Sequence, residues 1–586
     1  MKRSLLRTVL RKEVLGLARI IVILLSIFLF LLAFGYRADR ATDDLLDQLS
    51  FGLVIAAALI TLGSILRRVW RELPVRRAEV FWFLAALLLI YQRVVGLDLF
   101  ERGHNWPYLV FLLFFIFIEL SRLEIGRHST VFNPALLFAS SFILLIGVGS
   151  ALFMLPNATT RPISMIDAVF TATSAVCVSG LTVINIGEDL TLMGQCVLMV
   201  LFQLGGLGVM TFTSFFAFFF KGQTSLEEQL RIRDIANTSL VNARSFIIRV
   251  ILFTVTVELI GAVFIYNAVH PGMFSDLGDR MFFAVFHSVS AFNNAGFSNY
   301  TLGLYELPFR FNYPLMWVIS LLFIFGGLGF GIIFNFSRWI KLWILGRARY
   351  YFRGRTIQSF PRVINLSTRL VLQTTLILIV VGTAGILVFE WNGQLAQHHT
   401  WWGRLSTAFF SGVTPRTAGF NVLDMNALGI PAIMITLLLM YIGGSPGSTA
   451  GGIKTTTLAI ATLNIFATAR GRQQVEFGGR EISDISIRRA FAMIVLSLVF
   501  LGLSITLVAS LQQGMPLLPI AFECFSAYST TGLSMGITSQ LEPHARLVMI
   551  VVMFVGRVHA LNLLIAVMRQ INISPYRYPK EDILIN

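Results

Sequence analysis

Four short apolar segments constrain the fold of this 586-residue chain more than any other feature, near 163–177, 279–292, 403–413 and 516–529. Each lies between longer apolar stretches and falls short of the about 20 residues needed to cross a bilayer. Each ends in a motif around one glycine: Val178-Ser179-Gly180-Leu181, Asn294-Ala295-Gly296-Phe297, Thr417-Ala418-Gly419-Phe420 and Thr530-Thr531-Gly532-Leu533. The glycines are 116, 123 and 113 residues apart. Ten residues before each stands a phenylalanine: Phe170, Phe286, Phe409 and Phe522. Three units carry Ser-Ala at 174–175, 290–291 and 526–527, and the third has Val413-Thr414 instead. Glycine recurs downstream at Gly205-Gly206, Gly326-Gly327, Gly443-Gly444 and Gly556. Such self-similarity marks an internal repeat. The predicted unit is helix, re-entrant helix with glycine turn, helix.

Composition supplies the surroundings. The chain is 56% hydrophobic and 13% charged, whereas a soluble domain carries about 25% charge. With 52 Phe against 17 Pro, disorder is excluded. The fold class is therefore an all-α polytopic membrane protein. About twelve spans are expected, near 16–36, 48–66, 79–97, 106–121, 131–155, 191–220, 247–269, 313–340, 367–390, 431–468, 489–511 and 546–570. The first is too long for a cleaved signal peptide. About four spans precede the repeats, so the expected organisation is 1–125 as accessory helices, then pore repeats at 126–235, 236–355, 356–480 and 481–586. The net charge of +16 sits in loops, which argues for membrane orientation and against nucleic acid. Lys2, Arg3, Arg7, Arg11 and Lys12 precede span one, Arg67, Arg68, Arg71, Arg76 and Arg77 follow span two, and Arg338 to Arg369 form a basic loop. By the positive-inside rule both termini are cytoplasmic. Cys177, Cys196 and Cys524 lie in apolar stretches without metal-ligand spacing.

Irregular backbone at membrane depth survives only inside protein or beside a watery cavity. Four pseudo-equivalent turns can close around one axis, and glycine lets carbonyls point inward. Such a ring replaces the hydration shell of a monovalent cation. The expected ligands are the backbone carbonyls of Val178, Ser179, Asn294, Ala295, Thr417, Ala418, Thr530 and Thr531. Glu188, Asp189, Asp276, Asp279, Glu306 and Asp424 fall on the predicted outer side, where acids concentrate cations, although each also reads as an ordinary loop charge.

At these motifs the chain resembles the TrkH/KtrB/HKT superfamily of potassium transporters. The matching stretches are 170–182, 287–297, 414–420, 529–533 and Gly443-Gly-Ser-Pro-Gly-Ser-Thr-Ala-Gly-Gly-Ile-Lys-Thr455, in family order. The resemblance covers roughly 130–586 and is closest to the bacterial TrkH and KtrB branches. It implies a potassium-uptake pore subunit in the bacterial inner membrane, with K⁺ as the transported ion and no organic cofactor in this chain. It also implies a homodimer on a cytoplasmic nucleotide-binding regulatory ring of the TrkA/KtrA (RCK) kind, with membrane lipid around it. The basic loops and the tail Tyr576–Glu581 are candidate docking surfaces. Glycine at 180 goes with K⁺ preference in the family, and serine there with Na⁺.

The stretch Gly443-Gly444-Ser445-Pro446-Gly447-Ser448-Thr449-Ala450-Gly451-Gly452 interrupts the span at 431–468, and a discontinuous helix points to a transport site. The resemblance makes Gly443, Gly444, Gly447, Ser448, Thr449, Gly451 and Gly452 an intramembrane gating loop, with Arg557 as an electrostatic barrier beside it. Lys454 either joins that barrier or snorkels from a helix end. After Arg557 the family pattern Val-Gly-Pro-Leu is replaced by Val558-His559-Ala560-Leu561, which predicts loss of a kink. Glu258 is the main mid-span acid and could carry a coupling proton or mark a packing contact. Coupled symport with Na⁺ or H⁺ therefore stays open. Residues 447–455 miss the phosphate-loop pattern because Ile453 separates the second glycine from Lys454, so enzymatic ATP hydrolysis is not expected. A non-conducting scaffold is the remaining alternative.

Overall fold

The computed structural model describes residues 12–36, 40–70, 77–95, 107–112, 115, 134–221, 243–353 and 364–567. The N-terminal basic cluster before Lys12, Arg71, Arg76, Arg355, Arg362 and the tail Tyr576–Glu581 lie outside the described residues.

The chain is a helical membrane protein. Helices α1 (Lys12–Gly35), α2 (Arg40–Trp70) and α3 (Arg77–Val95) precede the repeats. They share a small core of Val22, Val54, Ala57, Ala86 and Phe111. Two ion pairs tie α2 to α3: Arg68–Glu79 at 3.2 Å and Arg93–Asp47 at 2.5 Å.

The first unit comprises α4 (Pro134–Phe153), the short α5 (Met165–Cys177) and α6 (Leu192–Lys221). The second comprises α7 (Ala243–Ala268), short α8 (Leu277–Phe292), then α9 (Tyr313–Leu328) and α10 (Phe330–Arg353). The third has α11 (Leu366–Phe389), short α12 (Trp401–Val413), α13 (Ile430–Tyr441) and α14 (Thr455–Ala469). A two-stranded hairpin, β1 (Glu476–Phe477) with β2 (Arg480–Glu481), leads to the fourth. That unit has α15 (Asp484–Leu511), short α16 (Leu517–Ser529), α17 (Pro543–Val558) and α18 (Ala560–Val567).

Among the described residues only five helices are individually long and apolar enough to cross a membrane, or six if the α9–α10 pair is one span. The sequence predicts about twelve. Part of the predicted 106–121 span lies outside the described residues, and four other predicted spans are broken: the second long segment of each unit is interrupted. Gly208 has φ 67° and ψ −175° inside α6. Gly329 has φ 86°, and α10 turns 103° away from α9, so 313–340 is not one straight span. Residues 442–454 separate α13 from α14. His559, φ 67°, separates α17 from α18. The expected loss of a kink at 559 is therefore wrong. The chain still breaks there, because Gly208, Gly329 and His559 all stand three residues after the glycines Gly205, Gly326 and Gly556.

Those glycines are where the units close on themselves. A Cβ at Gly205 would collide with the carbonyl of Val176, one at Gly326 with that of Phe292, and one at Gly556 with that of Tyr528. Each carbonyl belongs to the residue four before the motif glycine. Only glycine lets the long helix approach so closely. Between units the packing is cyclic: α6 lies against α8, α9 against α12, α13 against α16, and α17 against α5. The ion pair Arg546–Asp167 joins α17 to α5, and Asn185 Nδ2 donates to Thr301 Oγ1 at 3.1 Å between units one and two. The four short helices are thereby held at the centre, with Phe170, Phe286, Phe410 and Phe522 fully buried.

Phe410 is the equivalent in the third unit, not the Phe409 that the ten-residue spacing selects. Phe409 is half-buried and stacks on Trp317 with ring centroids 4.5 Å apart. The reason is a turn one residue shorter, described below.

Candidate functional site

Each short helix ends at the centre of the bundle, and three end in the same hydrogen-bonded cap. Val178 N donates to Ala175 O at 3.0 Å and Ser179 N to Ser174 O at 2.7 Å. Asn294 N and Ala295 N repeat this to Ala291 O and Ser290 O, and Thr530 N and Thr531 N to Ala527 O and Ser526 O. This is the Schellman pattern, whose pivotal residue adopts the left-handed conformation and is usually glycine. In the third unit Ala418 N reaches Thr414 O at 2.9 Å, a tighter turn.

Here the pivots carry side chains: Val178 (φ 58°), Asn294 (φ 57°), Thr417 (φ 72°) and Thr530 (φ 52°). Among the described residues the only other non-glycine residue with positive φ is His559. Each left-handed residue costs about 1–2 kcal/mol, and such strain collects at functional sites. Two residues further, Gly180, Gly296, Gly419 and Gly532 are left-handed too, at φ 78°, 69°, 79° and 92°.

These four glycines meet. A Cβ at Gly180 would lie 2.6 Å from Ala295 O and 3.1 Å from Gly532 Cα. One at Gly296 would lie 2.9 Å from Ala418 O and 3.0 Å from Gly419 Cα. One at Gly419 would collide with Thr531 O, and one at Gly532 would lie 2.8 Å from Ser179 O. The neighbour relations run 180, 296, 419, 532 and back to 180. Ser179, Ala295, Ala418 and Thr531 each present a carbonyl to the preceding unit's glycine, with unit four preceding unit one. The C-terminal ends of four helices, each carrying partial negative charge, face the same point.

Hydroxyls hold the segments from behind. Ser290 Oγ donates to Phe297 O at 2.8 Å, and Thr414 Oγ1 to Phe420 O at 2.7 Å. Thr414 thus replaces the serine of the other units from one position later, which accounts for the Val413-Thr414 departure. Asn294 and Thr417 pair through their side chains at 3.2 Å, and Thr531 Oγ1 donates to Pro415 O at 3.4 Å. Leu181, Phe297, Phe420 and Leu533 are buried and pack the outer side of each turn.

The interrupted segment lies against these turns. Ser445 N donates to Gly327 O at 2.9 Å and Thr449 N to Gly326 O at 3.3 Å. Phe330 N donates to Gly447 O at 3.2 Å. A Cβ at Gly451 would collide with Thr530 Oγ1, so the segment touches the fourth turn. Gly443 packs on Gly451 and Gly452, closing the loop at its neck. Gly444 and Ser448 pack together, and Ser448 Oγ donates to Ser445 O at 2.6 Å. Arg557, only 5% exposed, donates Nη1 to Thr449 O and Nη2 to Gly205 O. It therefore ties the segment to the first unit. Lys454 turns back on the loop, with Nζ 2.7 Å from Ala450 O and 3.3 Å from Gly451 O, and does not snorkel. Among the described residues neither cation forms an ion pair.

His559 lines a small cavity with Lys454 and Tyr528. Since glycine serves at the matching breaks, His559→Gly is expected to relieve backbone strain and stabilise the protein by about 1 kcal/mol. A thermal melt of the purified variant checks this, and a lower melting temperature would show that the imidazole's contacts outweigh the strain.

Glu258 links α7 to α6 and to the end of α8. Its carboxylate accepts from Gln203 Nε2 at 3.2 Å and Asn293 Nδ2 at 2.9 Å, so it anchors the end of α8. Glu523 is the one acid within 516–529. It is buried and accepts from Ser534 Oγ at 2.6 Å, Met535 N at 3.0 Å and Thr538 Oγ1 at 2.8 Å. These bonds fix the strand of chain leaving the fourth turn. Asp189 is likewise structural: it is 4% exposed and pairs with Arg161 at 2.8 Å. Asp276 and Asp424 cap the short helices that follow them. Glu188 accepts from Thr301 Oγ1 at 3.0 Å, adding to the tie between units one and two. Asp279 accepts from Ser275 Oγ at 2.5 Å, and Glu306 from Leu302 N at 3.3 Å.

Comparison with known proteins identifies the chain's relatives. The family described as "TrkH: Cation transport protein" matches residues 111–574. The Ktr system potassium uptake protein B of Bacillus subtilis (strain 168) is 35% identical over 455 residues, covering 77% of this chain and 96% of that protein. The potassium/sodium uptake protein NtpJ of Enterococcus hirae is 35% identical over 468 residues, covering 77% and 97%. The crystal structure of the potassium transporter TrkH from Vibrio parahaemolyticus superposes with a TM-score of 0.60 at 18% identity, covering 83% of this chain and 97% of that one. That likeness speaks to the fold. The relatives are ion transporters, not enzymes. The chain belongs to the TrkH family of cation transport proteins.

Proposed function

We propose that this chain is a potassium-uptake pore of the bacterial inner membrane. The ring of Gly180, Gly296, Gly419 and Gly532 carries the reading: four strained turns pack on one another in a closed ring, each with a carbonyl against a neighbouring unit's glycine. K⁺ is the transported ion, and the carbonyls of Val178, Ser179, Asn294, Ala295, Thr417, Ala418, Thr530 and Thr531 serve as its ligands. A relative named as a potassium uptake protein, 35% identical, supports the ion. The Ser529 and Thr530 hydroxyls are buried without partners, which suits a site that receives a partly dehydrated cation.

The loop 443–454 is the gate under the filter, and Arg557 and Lys454 are its electrostatic part. Contact of Gly451 with Thr530, and the Arg557 bridge to Thr449, support this. The hydrogen bonds that Gln203 and Asn293 donate to Glu258, one to each carboxylate oxygen, favour positioning over proton coupling. A cytoplasmic nucleotide-binding regulatory subunit and a homodimeric assembly complete the reading. The "Ktr system" wording of the relatives fits a multi-subunit system. The net charge of +16 and the basic loops support cytoplasmic termini.

The test is flux of K⁺ against Na⁺ in liposomes, with Gly180→Ser alongside. The wild type is expected to prefer K⁺, and the serine, crowding Ala295 O and Gly532 Cα, to reduce that preference by about tenfold, or about 1.4 kcal/mol. Unchanged selectivity in Gly180→Ser would remove Gly180 from the filter.

A further inference from the structure

A cavity of about 630 Å³ opens beside the interrupted segment, sharing only Pro446 with it. Its wall includes the first turns of four helices that start from different directions. Gly331 and Ile332 come from α10, Leu366 to Thr368 from α11, Thr456 from α14, and Ser483 and Ser486 from the start of α15. The N-terminal turn of a helix exposes unpaired N–H groups and partial positive charge. None of α11, α14 and α15 has a side-chain cap: Asn365, Lys454 and Ser483 each occupy the cap position without making the bond. The N–H groups of Leu366, Ser367, Thr368 and Thr456 donate to no acceptor among the described residues.

A second observation is independent of the helix ends. Thr368 is 3% exposed and lines the cavity, and its hydroxyl has no hydrogen-bond partner among the described residues. An unpartnered hydroxyl on a buried residue, beside several free N–H groups, is what an anion needs. The opposite wall is apolar, made by Leu370, Val371, Ile460 and Phe477. Glu481 is the one carboxylate on the lining, and it is exposed at the rim on β2.

We infer that this cavity binds the phosphate of a ligand whose remainder is apolar or aromatic. The phosphate sits at the first turns of α11 and α14 with the Thr368 hydroxyl, and the rest of the ligand lies on Phe477 and the aliphatic wall. An anionic phospholipid and a nucleotide share this chemistry. Because Pro446 also lines the cavity, a bound ligand joins the interrupted segment to α11 and to the hairpin. The binding itself stands independently of the transport reading.

The experiment measures binding to the purified full chain in a phosphate-free maltoside detergent. The probes are dioctanoyl phosphatidic acid, ATP and phosphate-free dioctanoylglycerol. Saturable binding of the phosphatidic acid or of ATP is expected, with none for dioctanoylglycerol. Binding of the phosphatidic acid alone identifies a lipid site, and ATP binding or competition identifies a nucleotide site. Ser367→Asp puts a competing carboxylate on the first turn of α11 at an exposed position, and is expected to weaken binding at least about tenfold. Thr368→Val removes only the hydroxyl and is expected to weaken it about threefold. The proposal fails if neither phosphate probe saturates, if dioctanoylglycerol binds as tightly, or if Ser367→Asp binds like wild type. Ser367→Asp decides the matter even where Thr368→Val does not fold.

Discussion

Arg557→Gln is expected to raise K⁺ flux at least about tenfold. Two effects act in the same direction. Arg557 bridges Thr449 O on the interrupted segment to Gly205 O on the first unit. Glutamine is shorter and cannot hold both, so the segment is released. The substitution also removes a positive charge from beneath the proposed filter, where a cation must pass. Two unit charges about 4 Å apart repel by about 4 kcal/mol at an effective dielectric of about 20. A third of that already changes a rate about tenfold. Arg557→Lys separates the effects, since it keeps the charge and loses the bidentate bridge; its flux should fall between the two. Liposome flux with a thermal melt on each variant checks both arms. Unchanged or lower flux in folded Arg557→Gln would show that the residue is a structural tie and not a barrier.

Gly419→Ala is expected to cut K⁺ flux by at least about a hundredfold, or about 2.7 kcal/mol of barrier. Its φ is 79°, and the new Cβ would strike the carbonyl of Thr531 in the fourth unit. That carbonyl is a proposed ligand, so it must turn away or the ring must open. Gly471→Ala is the matched control. Gly471 has φ 68°, and nothing lies within 4 Å of its Cβ position. Both variants carry the left-handed penalty of about 1–2 kcal/mol, but only the first crowds the ring. Flux at wild-type level in Gly419→Ala would remove the filter assignment. Equal losses in both variants would reduce the effect to general destabilisation.

The short helices were legible because their ends are punctuated by glycine and their length cannot span a bilayer. The interruption at 443–454 was legible for the same reason, through Gly443, Gly444, Pro446, Gly447, Gly451 and Gly452. Other features were hidden. Phe409 matched the repeat spacing, yet Phe410 fills the buried position, because a one-residue-shorter turn is visible only in the hydrogen bonds of Ala418 and Thr414. The break at His559 was hidden, because a non-glycine residue takes positive φ too rarely for its sequence to announce it. Neighbouring packing imposes that conformation, just as it does at Val178 and Thr530. Glu523 was overlooked as a lone acid, although an acid within an apolar helix of that length must find donors.

Local chemistry therefore determined the membrane class, the repeat and the four turns, since hydropathy, glycine freedom and chain length act over a few residues. Tertiary structure decided which carbonyls face one another, that Arg557 spans two units, and that four helix N-termini share one cavity. Those relations join residues far apart in sequence: Arg557 and Gly205 are 352 positions apart. No local preference encodes such a pairing; only the cyclic packing of each long helix on the next short one brings it about.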